Sequence, residues 1–235
     1  MKPSSTPLSA EVHKIVRIQG CSYALEGELQ LPPGARGLVV FAHGSGSSRH
    51  SPRNRFAAQV MRGAGLGTLL LNLLTQAETE ADVFTQDLSF DVEMLAGRLV
   101  AVAQWLHTQP ETQGLPLGIF GASSGGGAAL VAAARLGKKI SAVVLRGGRP
   151  DLAGRALFHV EAPTLFIVGS QDDVVLDLNG NALDRMCCSE KELRVITGAS
   201  HLFEEPGKLE QAAQISADWF CRHMAAAAGK GDTAP

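Results

Sequence analysis

Ser123, Asp172 and His201 are residues of the types, and in the chain order, that acyl transfer to a serine requires. Ser123 sits in LGIFGASSGGG, residues 117–127, where an apolar run meets Gly121-Ala122-Ser123-Ser124-Gly125 and then small residues suited to opening a helix. That pattern predicts a nucleophile elbow, a turn so sharp that the positions two before and two after the serine must be nearly free of side chain. A register one residue later, with Ser124 between Ala122 and Gly126, also has small flanks. The glycines at both flanks favour Ser123.

The acid is expected after a later strand and the base after the last one. Asp172 follows the apolar run in PTLFIVGSQDDVV, where a carboxylate can accept from imidazole Nδ1, fix its tautomer and stabilise the imidazolium. Asp173 is its adjacent rival, and one of the two is expected to do no more than cap a helix. His201, in ITGASHLFEEP, precedes the C-terminal helix, so its loop can reach back over the elbow. Of the seven histidines only His201 and His223 come after the acid, and His223 falls at the far end of the last helix.

An oxyanion needs two backbone N–H groups. One is expected from Ser124, the other from Ser45 in the strap His43-Gly44-Ser45-Gly46-Ser47-Ser48. His43, Gly44, Arg49, Arg53 and Arg146 are candidate substrate contacts because they follow strands whose C-terminal ends gather the functional loops. Reading the strap as a phosphate cradle is weaker, since neither GxxxxGK[ST] nor GxGxxG occurs, and no HExxH or similar spacing suggests a metal. No cofactor is called for.

The elements that must position these groups alternate. Runs at 12–18 and 25–31 read as an opening antiparallel pair, and near-continuous apolar runs at 37–42, 67–71, 117–120, 141–145, 164–168 and 193–196 read as parallel strands covered on both faces. Helical patterns fall at about 52–64, 87–108, 123–136, 175–187 and 206–224. The prediction is an α/β chain with a doubly wound, mostly parallel sheet flanked by helices on both faces, and no cap domain. Residues 1–10 read as a flexible leader, 11–224 as the single domain and 225–235 as a flexible tail. Short connections leave no lid, which implies a shallow site favouring acetyl to butyryl esters over long ones.

A length of 235 residues with 45% hydrophobic content suits one compact domain. The net charge of −2 and the absence of a dense Lys/Arg run provide no basis for binding nucleic acid or an anionic membrane surface. Cys21, Cys187, Cys188 and Cys221 show no CxxC spacing and read as free thiols. With no apolar signal region and no stretch of about 18 apolar residues, a cytoplasmic chain acting on a small-molecule ester is expected. Oligomeric state is not encoded legibly. A catalytically silent binding module on the same fold is the reading from another class.

The segments FAHGSGSSRHSPRN, GASSGG, LRGGRPDLAG, IVGSQDDVV and GASHLFEEPG resemble the α/β-hydrolases, in particular the dienelactone hydrolase-like branch of small capless enzymes, some of them fused to a phosphoribosyltransferase domain. The resemblance runs from about Val39 to His223. It implies an ester hydrolase with a Ser-His-Asp triad, with dienelactone, lactone and thioester hydrolysis as alternatives. True dienelactone hydrolases carry a cysteine where this chain has Ser123, which favours general carboxylic esters.

Overall fold

The structure, a computed structural model, describes residues 10–229. Eight strands form one sheet: β1 (Val12–Gln19), β2 (Ala24–Leu31), β3 (Leu38–Ala42), β4 (Gly67–Leu71), β5 (Leu117–Ala122), β6 (Ile140–Arg146), β7 (Thr164–Gly169) and β8 (Lys191–Ile196). Their spatial order is β1-β2-β4-β3-β5-β6-β7-β8. The β1–β2 and β2–β4 pairs are antiparallel and every pair from β4 to β8 is parallel.

Strand alternation divides the core. On β3, Val39 and Phe41 join one cluster while Leu38, Val40 and Ala42 join the other, because successive side chains leave opposite faces. Helices α1 (Pro52–Gly63) and α7 (Lys208–Gly229) cover the first face. Helices α4 (Val92–Leu106), α5 (Ser124–Leu136) and α6 (Asp173–Arg185), with a 3-10 segment at Pro150–His159, cover the second. Burial on both faces is why β3 to β7 read as unbroken apolar runs, whereas β8, at the sheet edge, is only partly buried and apolar only toward its end.

Three boundaries differ from the sequence reading. The pattern at 87–108 is two helices, α3 (Asp87–Phe90) and α4, broken at Asp91, whose carboxylate caps α4 by accepting from the Met94 N–H at 3.0 Å. Residues 72–86, read as a connection, contain α2 (Gln76–Asp82). Thr75 and Glu78 start it with a reciprocal capping box. Glu78 then grips Arg98 of α4, with nitrogen–oxygen distances of 2.5 and 2.7 Å, and Arg98 also donates to the Leu73 carbonyl at 2.6 Å. That brace ties α2 to α4 and to the end of β4. Finally, α7 continues to Gly229, so the helix extends into what read as a tail. The leader up to residue 9 and the tail beyond 229 lie outside the described residues. Among the described residues no helix is long and apolar enough to cross a membrane, and no group of histidines, cysteines and carboxylates is arranged to hold a metal ion.

Candidate active site

Ser123 lies between β5 and α5 with φ 51° and ψ −128°, a conformation that a residue with a side chain adopts only when its surroundings force it. Here they do. The Ser123 carbonyl accepts from the N–H groups of Gly126 at 2.9 Å and Arg149 at 3.0 Å. A Cβ at Gly121 would stand 2.6 Å from the Gly126 Cα, and one at Gly125 would stand 2.3 Å from the Ala42 carbonyl oxygen. Both flanking glycines are therefore obligatory, and the elbow is centred on Ser123. Ser124, by contrast, is the first helical residue of α5 and is 1% exposed.

His201 comes from the loop after β8, and the turn holding it is pinned at several points. The Gln171 N–H donates to the Ala199 carbonyl at 2.9 Å, the Gly198 N–H to Ser170 Oγ at 2.8 Å, and the Ser200 N–H to Glu205 Oε2 at 3.1 Å. The Ser200 bonds hold the Glu205 carboxyl below its ordinary pKa. Phe203, with φ 58°, is buried in the core beneath. So anchored, His201 Nδ1 lies 2.5 Å from Asp172 Oδ2, which leaves Nε2 for the cavity that His201 shares with Ser123. Asp172 stands at the N-cap of α6 but makes no capping bond with its side chain, while Asp173 is exposed on the first turn.

That shared cavity measures about 180 Å³ and is lined by residues including Ser45, Arg53, Asn54, Ser123, Arg146 and His201. Its charged side is unusual. Arg146, at the end of β6, is 8% exposed and packs over the Phe120 ring at 5.5 Å. Its side chain donates to Asn54 Oδ1 at 2.9 Å and to the Arg53 carbonyl at 3.5 Å. No carboxylate lines this cavity. Burial, with the Arg53 charge adding to it, brings the Arg146 pKa down to about 10. Arg53 itself reaches Glu204 at 3.3 Å on the rim.

One expected oxyanion donor differs from the sequence reading: the Ser45 N–H is not free but donates to Ser124 Oγ at 2.9 Å, because the strap packs against the first turn of α5, and Ser45 Oγ meets Ser89 Oγ of α3 at 2.8 Å. Gly44 lies so close to the elbow that a Cβ there would fall 2.8 Å from the Ser123 Cβ. The Ser124 N–H opens α5, where first-turn amides lack an acceptor within their own helix.

Two other candidates stand elsewhere. His43 faces away from the 180 Å³ cavity, its Nδ1 donating to the Gly44 carbonyl at 2.9 Å and its Nε2 accepting from the Leu73 N–H at 3.0 Å. Enclosure lowers its pKa, so it is a neutral wedge that shapes the strap. Arg49 curls toward the sheet edge, its guanidinium 3.3 Å from Glu26 and its N–H on Asn72, so loop curvature removes it from the site. Arg149 is held by Asp151 through two bonds of 2.8 and 2.7 Å. Sequence reasoning missed Ser89, a single buried polar residue on the short helix α3 that left no pattern in the sequence.

A mostly parallel sheet with a serine on a strained strand-to-helix elbow after β5, an acid after β7 and a histidine after β8 has the arrangement of the α/β-hydrolases. Residues 56–225 match the dienelactone hydrolase family, and the chain belongs to it. It is 53% identical to a dienelactone hydrolase from Anabaena variabilis, with a TM-score of 0.88 over 91% of this chain and 98% of that one. Est1E from Butyrivibrio proteoclasticus shares the fold at 15% identity, with a TM-score of 0.74 over 90% of this chain and 99% of that one. Curated relatives from two strains of Mycobacterium tuberculosis, each named "Putative phosphoribosyl transferase", are 56% identical over 200 residues, which is 84% of this chain. The match covers 44% of their length. Membership of the dienelactone hydrolase family supports a hydrolase.

Proposed function

We propose that the chain is a serine hydrolase that cleaves small carboxylic esters through an acyl-enzyme intermediate. The observation that carries this is the alignment of the forced Ser123 elbow with His201 in one cavity, His201 being 2.5 Å from Asp172. Ser123 Oγ attacks the ester carbonyl while His201 Nε2 takes the hydroxyl proton, and the carbonyl electrons move onto the oxygen facing the Ser124 N–H at the start of α5. Collapse breaks the bond to the alcohol oxygen, which leaves with the proton from His201. Water then attacks the acyl-serine, His201 takes a proton from it and returns one to Ser123, and the carboxylic acid departs. Asp172, 2.5 Å from Nδ1, orients the ring and steadies the imidazolium.

Buried Arg146 supports a substrate that carries a negative charge, because it is a cation with no carboxylate partner that lines the cavity, while Arg53 beside it is paired with Glu204 at the rim. The dienelactone hydrolase relative supports including lactones among the substrates. Free thiols at Cys21, Cys187, Cys188 and Cys221 fit a reducing, cytoplasmic setting. The test is a panel of p-nitrophenyl esters, with and without an anionic group, beside a lactone and a peptide anilide. Ester turnover lost in Ser123→Ala supports the reading. A folded wild type that turns over none of them would leave the silent binding module.

A further inference from the structure

Among the described residues two arginines are almost wholly buried, and their surroundings differ. Arg98, 5% exposed, is gripped by the Glu78 carboxylate through two bonds. Arg146, 8% exposed, has only neutral acceptors, Asn54 Oδ1 at 2.9 Å and the Arg53 carbonyl at 3.5 Å. Enclosing a cation without a counter-ion is costly, so the missing carboxylate calls for a cause. Asn54 is itself 2% exposed and lies in the first turn of α1, where its N–H donates to the Oγ of the N-cap Ser51 at 3.4 Å. Acids are favoured in such a turn, because the helix N-terminus carries partial positive charge. An aspartate has the shape of asparagine, and here it would complement both the helix end and Arg146. The first turn of α1 nevertheless holds no acid, and it carries Arg53. The neutral amide forgoes two attractions, so stability does not account for it.

The charge of the catalytic cavity does, since Asn54 and Arg146 line it together with Ser123 and His201. On the serine-hydrolase reading above, we propose that Asn54 is a specificity-determining positioning residue, which fixes the Arg146 guanidinium at the cavity wall without neutralising it and so reserves that charge for an anionic substrate. The Phe120 ring, 5.5 Å away, backs the guanidinium. Arg53 is paired with Glu204 at the rim, which leaves Arg146 as the unpaired charge inside. An aspartate at this position would hold the guanidinium at least as firmly as the amide, but it would itself be the counter-ion that the substrate otherwise supplies. An alanine would release the guanidinium without cancelling its charge. The two substitutions therefore separate position from charge.

The experiment is kcat/KM for two pairs of esters that differ in charge: mono-p-nitrophenyl succinate beside p-nitrophenyl valerate, and 4-acetoxybenzoate beside phenyl acetate. The first pair places the charge on the acyl side and the second on the alcohol side. The quantity read is the anionic-to-neutral ratio within each protein, for the pair that wild type discriminates more strongly. In Asn54→Asp this ratio should fall at least about tenfold, chiefly through KM, the lower end for loss of a charge-assisted hydrogen bond. In Asn54→Ala it should fall less. A merely structural role reverses that order, because the isosteric aspartate would then be the milder change. A folded Asn54→Asp with the wild-type ratio, or a lower ratio in Asn54→Ala than in Asn54→Asp, overturns the proposal. If Asn54→Asp does not fold, Asn54→Ala carries the test: a reduced ratio supports the assignment, and equal losses on both esters overturn it. A wild type that hydrolyses the neutral esters without favouring either anionic partner overturns this proposal and leaves the serine-hydrolase reading intact. No turnover of any of the four by folded wild type defeats both.

Discussion

His201 Nδ1 stands 2.5 Å from Asp172 Oδ2, across a gap between two loops separated by 29 positions in the chain. A carboxylate in that position selects the tautomer that leaves Nε2 free to accept a proton. Asp172→Asn should therefore lower kcat by about ten-thousand-fold, the effect of presenting the wrong tautomer in a serine triad. Asp173→Asn, on the exposed first turn of α6, should change it less than about threefold, within the range of an ordinary surface substitution. Steady-state kinetics on a short-chain ester compares them directly.

The bond from the Ser45 N–H to Ser124 Oγ makes the Ser124 hydroxyl a brace for the strap rather than a reactant. Ser124→Ala removes the brace and keeps the Ser124 N–H. The expected outcome is a fall in kcat of about tenfold, the equivalent of one modest hydrogen bond, with KM nearly unchanged. Loss as complete as that of Ser123→Ala would mean that the hydroxyl takes part in the chemistry.

Arg146 provides a charge-specific test. Arg146→Met should raise KM for esters bearing a carboxylate by at least about tenfold, the lower end for a charge-assisted hydrogen bond, and leave neutral esters much less affected. Equal effects on both classes, with circular dichroism unchanged, would make Arg146 a structural partner of Asn54 alone.

Glu78 links helix α2 to pH. Its hydrogen bonds to Arg98, joined by capping bonds at Thr75 and opposed by partial burial, hold its pKa at about 2, below the ordinary 4.5. A carboxylate with a depressed folded-state pKa stabilises the fold fully above its unfolded value, and that contribution drains away as pH falls from about 4.5 toward 2. Thermal melts across that window should show Tm falling with pH in wild type, with a shallower slope in Glu78→Gln.

How much of this was legible follows from where burial leaves a pattern. Strands β3 to β7 are covered on both faces, so their apolar runs stood out, and the elbow was readable because Gly121 and Gly125 have no sterically tolerable replacement. Asp172 and His201 were readable from their order after later strands. Helix α2 was not, because residues 76–82 are mostly polar and form one short helix, and the one local signal was the Thr75-x-x-Glu78 capping box. Arg49 misled for a related reason. Its place beside the strap suggested the site, but the direction of its side chain is set by Glu26 on a strand far earlier in the chain.

The central claim is that Ser123 Oγ is the nucleophile, and the most direct measurement is peptide mapping by mass spectrometry after treatment with a fluorophosphonate. One adduct should form per chain, on Ser123, and it should be lost in Ser123→Ala and strongly slowed in His201→Ala. An adduct on Ser124, or no adduct on folded wild-type protein, would contradict the account.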